Sequence, residues 1–411
     1  MATTDRPQLP HGAKGMQSRV IVDPSHHYVL RRSQQLRKRY TGTRERRQQT
    51  AERMGEATQY QLMLARFRKH RLARVSVYLL AFLYVLAIFA PFVAPYGRVQ
   101  RFEEYSYAKP SRVRFVDIDG NFHLPFIYGR ERSLDRKTFT YSFEEDPSTR
   151  YPLQLFVAGE PYRLLGAITM DRHLFGVEGD QPFFLLGSDE LGRDLFSRII
   201  IAARVSLFVG FAGVLISFVL GILLGGISGY FGGVVDTIIQ RMIEFIMSIP
   251  QIPLWMGLSA AIPQEWTGIQ TFFAITVILS LVGWTGLARV VRGKIISLRE
   301  EDYVTAARIS SATPLQIIVR HLLPGFTSYL VVDLTMAVPG MILGETTLSF
   351  LGLGITAPDV SWGSLLQEAQ NVNVIANYPW ILAPVGFIML AVILFNFIGD
   401  GLRDAADPYS R

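Results

Sequence analysis

Six apolar runs, at 75–95, 205–230, 242–262, 271–291, 328–352 and 379–399, constrain this chain more than any other feature. Each reaches the about 20 residues that a helix needs to cross the roughly 30 Å hydrocarbon layer of a bilayer. A helix also satisfies its own backbone hydrogen bonds there, which an irregular segment facing lipid does not. Composition agrees: 49% of the 411 residues are hydrophobic, only 18% are charged, and mean hydropathy is +0.25. The third run is the most irregular, because Glu244, Pro250 and Pro253 interrupt it. The expected fold is an all-α polytopic membrane protein with six transmembrane helices.

Orientation follows from the short loops. The loop with Arg289, Arg292, Lys294, Arg299 and Arg308 is basic, whereas those around Glu265 and over 359–377 hold no Lys or Arg. Basic short loops stay in the cytoplasm. Six spans then put both termini inside, in keeping with the cluster of Arg31, Arg32, Arg37, Lys38, Arg39, Arg44, Arg46, Arg47, Arg66, Arg68, Lys69, Arg71 and Arg74 ahead of the first span. The net charge of +7 sits largely in that tail, where it sets topology; no recognition module accompanies it, so no nucleic-acid partner is expected. The first apolar run begins near Val75, too far along for a secretory signal, and is expected to remain as an anchor. Cysteine is absent, which excludes disulfides and thiolate-bound metals within the chain.

The expected organisation is a basic cytoplasmic tail at 1–74, a first span at 75–95, an external β-rich insert at 96–186, an interfacial helix at 187–204, a five-helix core at 205–400 and a cytoplasmic tail at 401–411. In the insert, Arg112-Val113-Arg114-Phe115 alternates polar with apolar and Asp119-Gly120-Asn121 offers hairpin-turn chemistry. A second strand is expected at 153–157, closed by Gly159-Glu160-Pro161. Ser188 is placed to cap the interfacial helix, with Arg193, Asp194 and Arg198 on its charged side.

The core holds a cytoplasmic loop at 292–324. Ser297 with Glu300, and Thr313 with Gln316, fit capping boxes, and Pro314 suits a first helical turn. Two short helices with a break near 310–313 make a helical elbow. Tyr303, Ala306, Ala307 and Ser310 fall at i, i+3, i+4, i+7, a narrow stripe of mostly small residues that lets another surface approach closely.

Asp302-Tyr303-Val304-Thr305-Ala306-Ala307-Arg308, followed by Ile317-Ile318-Val319-Arg320-His321-Leu322-Leu323-Pro324, resembles the EAA motif of permease subunits in ATP-binding-cassette importers, the binding-protein-dependent transport systems. Thr305 stands where the family has Glu and Ser311 where it has Gly. The segments 186–198, 229–236, 344–354 with Ser361-Trp362-Gly363, and 399–408 are similar to the dipeptide, oligopeptide and nickel branch. The resemblance implies the type I importer permease fold in a bacterial inner membrane. It implies that Tyr303, Ala306, Ala307, Arg308, Ser310 and Ser311 couple to a separate ATPase, and that Asp189, Arg193, Asp194 and Arg198 form an interfacial motif. The implied partners are a sister permease, two ATP-binding subunits and an external solute-binding protein. ATP and Mg2+ belong to those partners: Gly293-Lys294 has Ala288 where a phosphate loop needs its first glycine and Ile295 where it needs a hydroxyl.

Glu345 and Asp333 lie inside the fifth run, where an acidic residue costs about 2.5–3.5 kcal/mol at the helix centre, so they are candidate pore or gate residues or structural partners of a neighbouring helix. They are also what a secondary transporter or channel would use, the alternative to an ATP-driven importer. Asp236 and Glu244 are expected to pair with Arg241 or Arg289. The residues do not separate a dipeptide, oligopeptide, opine, microcin-like peptide or nickel complex as cargo.

Overall fold

A computed structural model describes residues 59–407 except 136–139 and 264. The basic cluster up to Arg47 and residues 408–411 of the expected C-terminal tail lie outside the described residues. The chain separates into units 1–62 and 63–411; the described part of the first is only the opening of a helix Gln59–Phe67, and the second holds the remaining described residues.

In chain order its main elements are α1 (Arg71–Ile88), the strands β1 (Arg114–Val116), β2 (Phe122–Asp135), β3 (Thr140–Leu164) and β4 (Ile168–Val177), then α2 (Leu195–Phe231), α3 (Gly233–Ser248), α4 (Gln251–Ser259), α5 (Gly268–Leu298), α6 (Asp302–Ile309), α7 (Thr327–Phe350) and α8 (Ala383–Ala406). Among the described residues, five helical stretches, at Arg71–Ile88, Leu195–Phe231, Gly268–Leu298, Pro314–Phe350 and Pro379–Ala406, are long and apolar enough to cross a membrane. The third expected run differs. It divides at Ile249-Pro250 into α3 and α4, because proline has no N–H to donate and its ring displaces the preceding turn.

Two expected boundaries are corrected. No separate interfacial helix occupies 187–204: Gly187 to Arg193 form a loop, and α2 starts at Leu195 and runs unbroken to Phe231. Ser188 is not its cap; Asp194 is, accepting the Ser197 N–H at 2.7 Å. Residues 401–406 are not a tail but the last turns of α8. These turns meet the approach to α1, where Arg66 Nη1 donates to the Asp407 carbonyl at 2.7 Å and His70 lies 3.7 Å from Asp404. The start of the first span and the end of the last therefore share one side of the bundle.

The expected all-α architecture carries a four-stranded antiparallel sheet, order β1-β2-β3-β4, between the first two spans. The turn before β2 is as the residues suggest, since Asp117 Oδ1 accepts the N–H groups of Asp119 and Asn121 at 3.0 and 2.9 Å and Gly120 takes a φ of 83°. The strand expected at 153–157 lies in the middle of β3. Gly159-Glu160-Pro161 does not end it, because the pairing with β4 slips between Ala158 and Tyr162 and resumes, as at a β-bulge.

Leu83 of α1, Leu207 of α2, Leu279 of α5, Ile342 of α7 and Leu394 of α8 share the main core cluster. The closest seam joins α2 to α5. Gly213, Ser217, Gly221, Gly225 and Gly229 recur every fourth residue on α2, and at Gly221, Gly225 and Gly229 the space a side chain would take is filled by α5. A Cβ at Gly225 would lie 2.9 Å from the Ala288 Cα, and one at Gly229 would lie 2.8 Å from the Arg292 carbonyl oxygen. Small residues let helix backbones approach where lipid supplies no hydrophobic drive for association. Ser217 Oγ donates to the Ser280 carbonyl at 3.2 Å, and Ser280 Oγ to the Gly213 carbonyl at 3.0 Å.

Candidate functional site

The elbow lies at the end of the bundle away from the sheet. Helix α6 lies against the core through Val304 and Ala307, which are buried with Leu287, Val291 and Ile295 of α5 and with Ile317, Ile318 and Leu322. Tyr303, Ala306, Arg308, Ser310 and Ser311 stay exposed. The expected docking stripe is thus corrected at one position. Ala307 faces inward, because a helix of eight residues needs an i, i+3 apolar pair to hold it to the core. The outer face has instead two large apolar residues that the stripe did not include, Ile309, 81% exposed, and Leu315, 62% exposed. Arg308 folds back over its own subunit, with its guanidinium 5.5 Å from the Tyr230 ring centroid.

The break between the elbow helices forms as expected, although only one of the two capping boxes does. Thr313 N–H donates to Gln316 Oε1 at 2.9 Å and the Gln316 N–H to Thr313 Oγ1 at 3.4 Å, while Ser297 is inside α5 and Glu301 precedes α6. At the turn, the Ala312 N–H reaches the Ala307 carbonyl at 3.1 Å and the Ser311 N–H the Arg308 carbonyl at 3.0 Å. This is a Schellman closure, which places its C′ residue in the left-handed region. Ser311 sits there with a φ of 61°, at a cost a glycine avoids. Ser311→Gly is expected to stabilise the elbow by about 0.5–1 kcal/mol, read as slower amide hydrogen exchange at residues 310–313; faster exchange would refute it.

At the opposite end, the loop before α2 is organised around Asp189. Its Oδ1 accepts the N–H groups of Leu191 and Arg193 at 3.0 and 2.9 Å, and its Oδ2 takes Arg193 Nε at 2.7 Å and Arg198 Nη1. All four expected residues are therefore gathered here, Asp194 as the helix cap and the other three as one ion cluster. Glu368, distant in sequence, joins them by accepting the Glu190 N–H at 3.3 Å and lying 3.9 Å from Arg193 Nη2. Trp380 Nε1 donates to the Ser188 carbonyl at 3.0 Å, and Tyr107 stacks on Tyr378 at 4.2 Å.

Burial pushes the Asp194 carboxyl up to about 7. Burial, reinforced by the Asp189 charge, pushes Glu368 up to about 7 as well. Both groups hold a proton more firmly folded than unfolded, so the stability they contribute is complete below about pH 4 and is lost as pH rises through about 7. Resistance of this end to proteolysis is expected to be greater at pH 5.5 than at pH 8, and Asp194→Asn with Glu368→Gln is expected to remove the difference. An undiminished difference in that double variant would refute the assignment.

Glu345, a pore or gate candidate by sequence, is fully buried within this subunit. Ser206 Oγ and Ser349 Oγ donate to it at 3.2 and 2.6 Å. The same serine oxygens accept the N–H groups of Trp362 and Ile355 at 3.0 and 2.9 Å. The carboxyl thus ties α2, α7 and the segment 355–362 together, the structural-partner role. Asp333 lies about 18 Å further along α7, half-buried with Tyr329 Oη at 3.5 Å, and the structure does not bring the two acids together. Glu244 pairs with Arg241 as expected, at 2.6 Å. Asp236 does not pair with Arg241 or Arg289 but with Arg292, whose Nε and Nη2 both lie 2.6 Å from its oxygens.

The sequence matches known families and proteins over most of its described length. The family described as "Binding-protein-dependent transport system inner membrane component" matches residues 221–411, and "N-terminal TM domain of oligopeptide transport permease C" matches residues 58–110. The dipeptide transport system permease protein DppC of Bacillus subtilis is 40% identical over 225 residues, 55% of this chain and 68% of that protein. The oligopeptide transport system permease protein OppC of Haemophilus influenzae is 40% identical over 232 residues, 56% of this chain and 72% of that one. DppC of Lactococcus lactis is 30% identical over 344 residues, 84% of this chain and 88% of its own. With more than two thirds of several such relatives covered, the chain belongs to the binding-protein-dependent transport system inner membrane components, the multi-pass permease subunits of ATP-binding-cassette importers.

Proposed function

We propose that this chain forms half of an alternating-access pathway for peptides and that its elbow receives the work of ATP hydrolysis from separate subunits. The observation that carries the reading is the elbow itself: α6 is anchored inward by Val304 and Ala307 and presents Tyr303, Ala306, Ile309 and Ser310 outward. A protruding rigid helix with small and apolar residues on its free face suits a cleft in another protein. Movement of that cleft reaches the spans directly, because the anchoring residues pack on α5.

In this reading the elbow and both termini face the cytoplasm and the sheet faces outward, as the proximity of Arg66 and His70 to the end of α8 supports. The partners are one sister permease, two ATP-binding subunits that hold ATP and Mg2+, and a solute-binding protein that delivers cargo at the sheet end. Peptides are assigned as cargo because the relatives at 40% identity are dipeptide and oligopeptide permeases. The test is to co-express the tagged chain with its partner subunits, purify the complex, and measure ATP hydrolysis and uptake in proteoliposomes with and without a tripeptide. Recovery of an ATPase and peptide-dependent uptake is the expected result. Recovery of the chain alone, with uptake indifferent to ATP, would establish the secondary-transporter or channel reading instead.

A further inference from the structure

Near the sheet end a cavity of about 870 Å3 opens between α2, the first turns of α5 and the segment 355–360. That volume is within the about 300–1,000 Å3 of small-ligand sites. Its walls are mostly apolar, with Ile201, Trp266, Phe272 and Phe273 among them. Its charges are few. Arg98 is paired with Asp359, and the Asp359 carboxylate occupies the space beside Gly268 at the start of α5, so the positive end of that helix already has an anion against it. Arg204 also lines the cavity, about 14 Å along α2 from Leu195. Among the described residues its guanidinium has no ion pair or hydrogen bond. That side chain is exposed, so the guanidinium is open to an anion that enters the cavity.

We propose that this cavity is a subsite for the C-terminal carboxylate of a peptide in transit, with Arg204 as the group that receives it. The inference rests on the peptide reading above. Peptides of differing side chains share only a backbone and two charged termini. A site with one uncompensated positive charge selects the carboxylate terminus, and a planar guanidinium binds a carboxylate through two parallel hydrogen bonds. Apolar, non-directional walls accept varied side chains. The phosphate of a lipid headgroup offers the exposed Arg204 the same kind of anion, but a headgroup gains nothing from the apolar walls at Ile201, Phe272 and Phe273 that a peptide side chain would fill.

Because the chain contains no cysteine, Thr271→Cys, at a cavity-lining position, gives it a single thiol for labelling in the assembled transporter. The expected result is that trialanine slows alkylation of that thiol, that trialanine amide protects roughly tenfold more weakly, and that adding Arg204→Gln abolishes the difference while Arg204→Lys keeps part of it. In uptake by proteoliposomes, Arg204→Gln should then lower transport of the free acid more than that of the amide. Equal protection by acid and amide, or a labelling rate that neither peptide alters while wild-type transporter imports both, overturns the subsite and leaves peptide import standing. Failure of the wild-type transporter to import either peptide defeats the import reading itself. Protection that follows the content of anionic lipid in the vesicles and ignores the peptide terminus assigns Arg204 to headgroups and likewise overturns the subsite.

Discussion

Asp189→Ala is expected to lower the stability of the subunit by about 3–5 kcal/mol, the cost of leaving a buried charge without its partner. The side chain is almost fully buried and receives four donors, two from the backbone of its own loop and one each from Arg193 and Arg198. Arg198 is itself 7% exposed, and without Asp189 its guanidinium has only the more distant Glu368 to offset it. A protein with about 5–15 kcal/mol in hand loses a large fraction of it in this one change. Thermal unfolding in detergent measures the effect. Asp189→Asn with Arg198→Met removes both charges and is expected to recover much of the loss. A single variant as stable as the wild type would refute the cluster's structural role.

Ala306→Arg is expected to cut recovery of the ATPase subunit by roughly tenfold or more and to abolish uptake, with the subunit's own melting temperature unchanged. Ala306 is exposed on the elbow, so a long charged side chain there obstructs only the partner. The neighbouring Ala307→Arg is not equivalent. It drives a charge among Val304, Ile317 and Ile318 and would unseat α6, so a loss of coupling there would reflect misfolding. Normal ATPase recovery with Ala306→Arg would sink the docking assignment.

The spans were legible because their signal is local: five of the six apolar runs became membrane-length helices, and Pro250, one of the two prolines that made the third run irregular, is where it divides. The elbow was legible as a break with a capping box at Thr313, again within a few residues. Its phase was not. Tyr303, Ala306, Ala307 and Ser310 share a helical face in the sequence, but Val304 and Ala307 are the pair that meets Ile295 and Ile317, which only tertiary packing decides. The same holds for Glu345, whose burial depends on Ser206, from α2, and on a loop returning as far as Trp362. Asp194 was read as part of a charged helix side and Ser188 as the cap, since both residue types cap helices well; Asp194 is the one that does, by accepting the Ser197 N–H. The Gly213 to Gly229 row at every fourth position was available as a signal for close helix approach. A search for small residues at that spacing would have found the α2–α5 seam.

The 37 residues of α2 make a rod about 55 Å long, tethered by Asp194 and the Asp189 cluster at one end and, through the Gly229 carbonyl, by Arg299 at the root of the elbow. Unlike α7, which has Pro339 inside it, or the divided α3–α4 pair, this rod contains no proline joint. A tilt imposed on its lower end at the elbow is therefore carried along the whole rod, and the wall that carries Arg204 tilts with it.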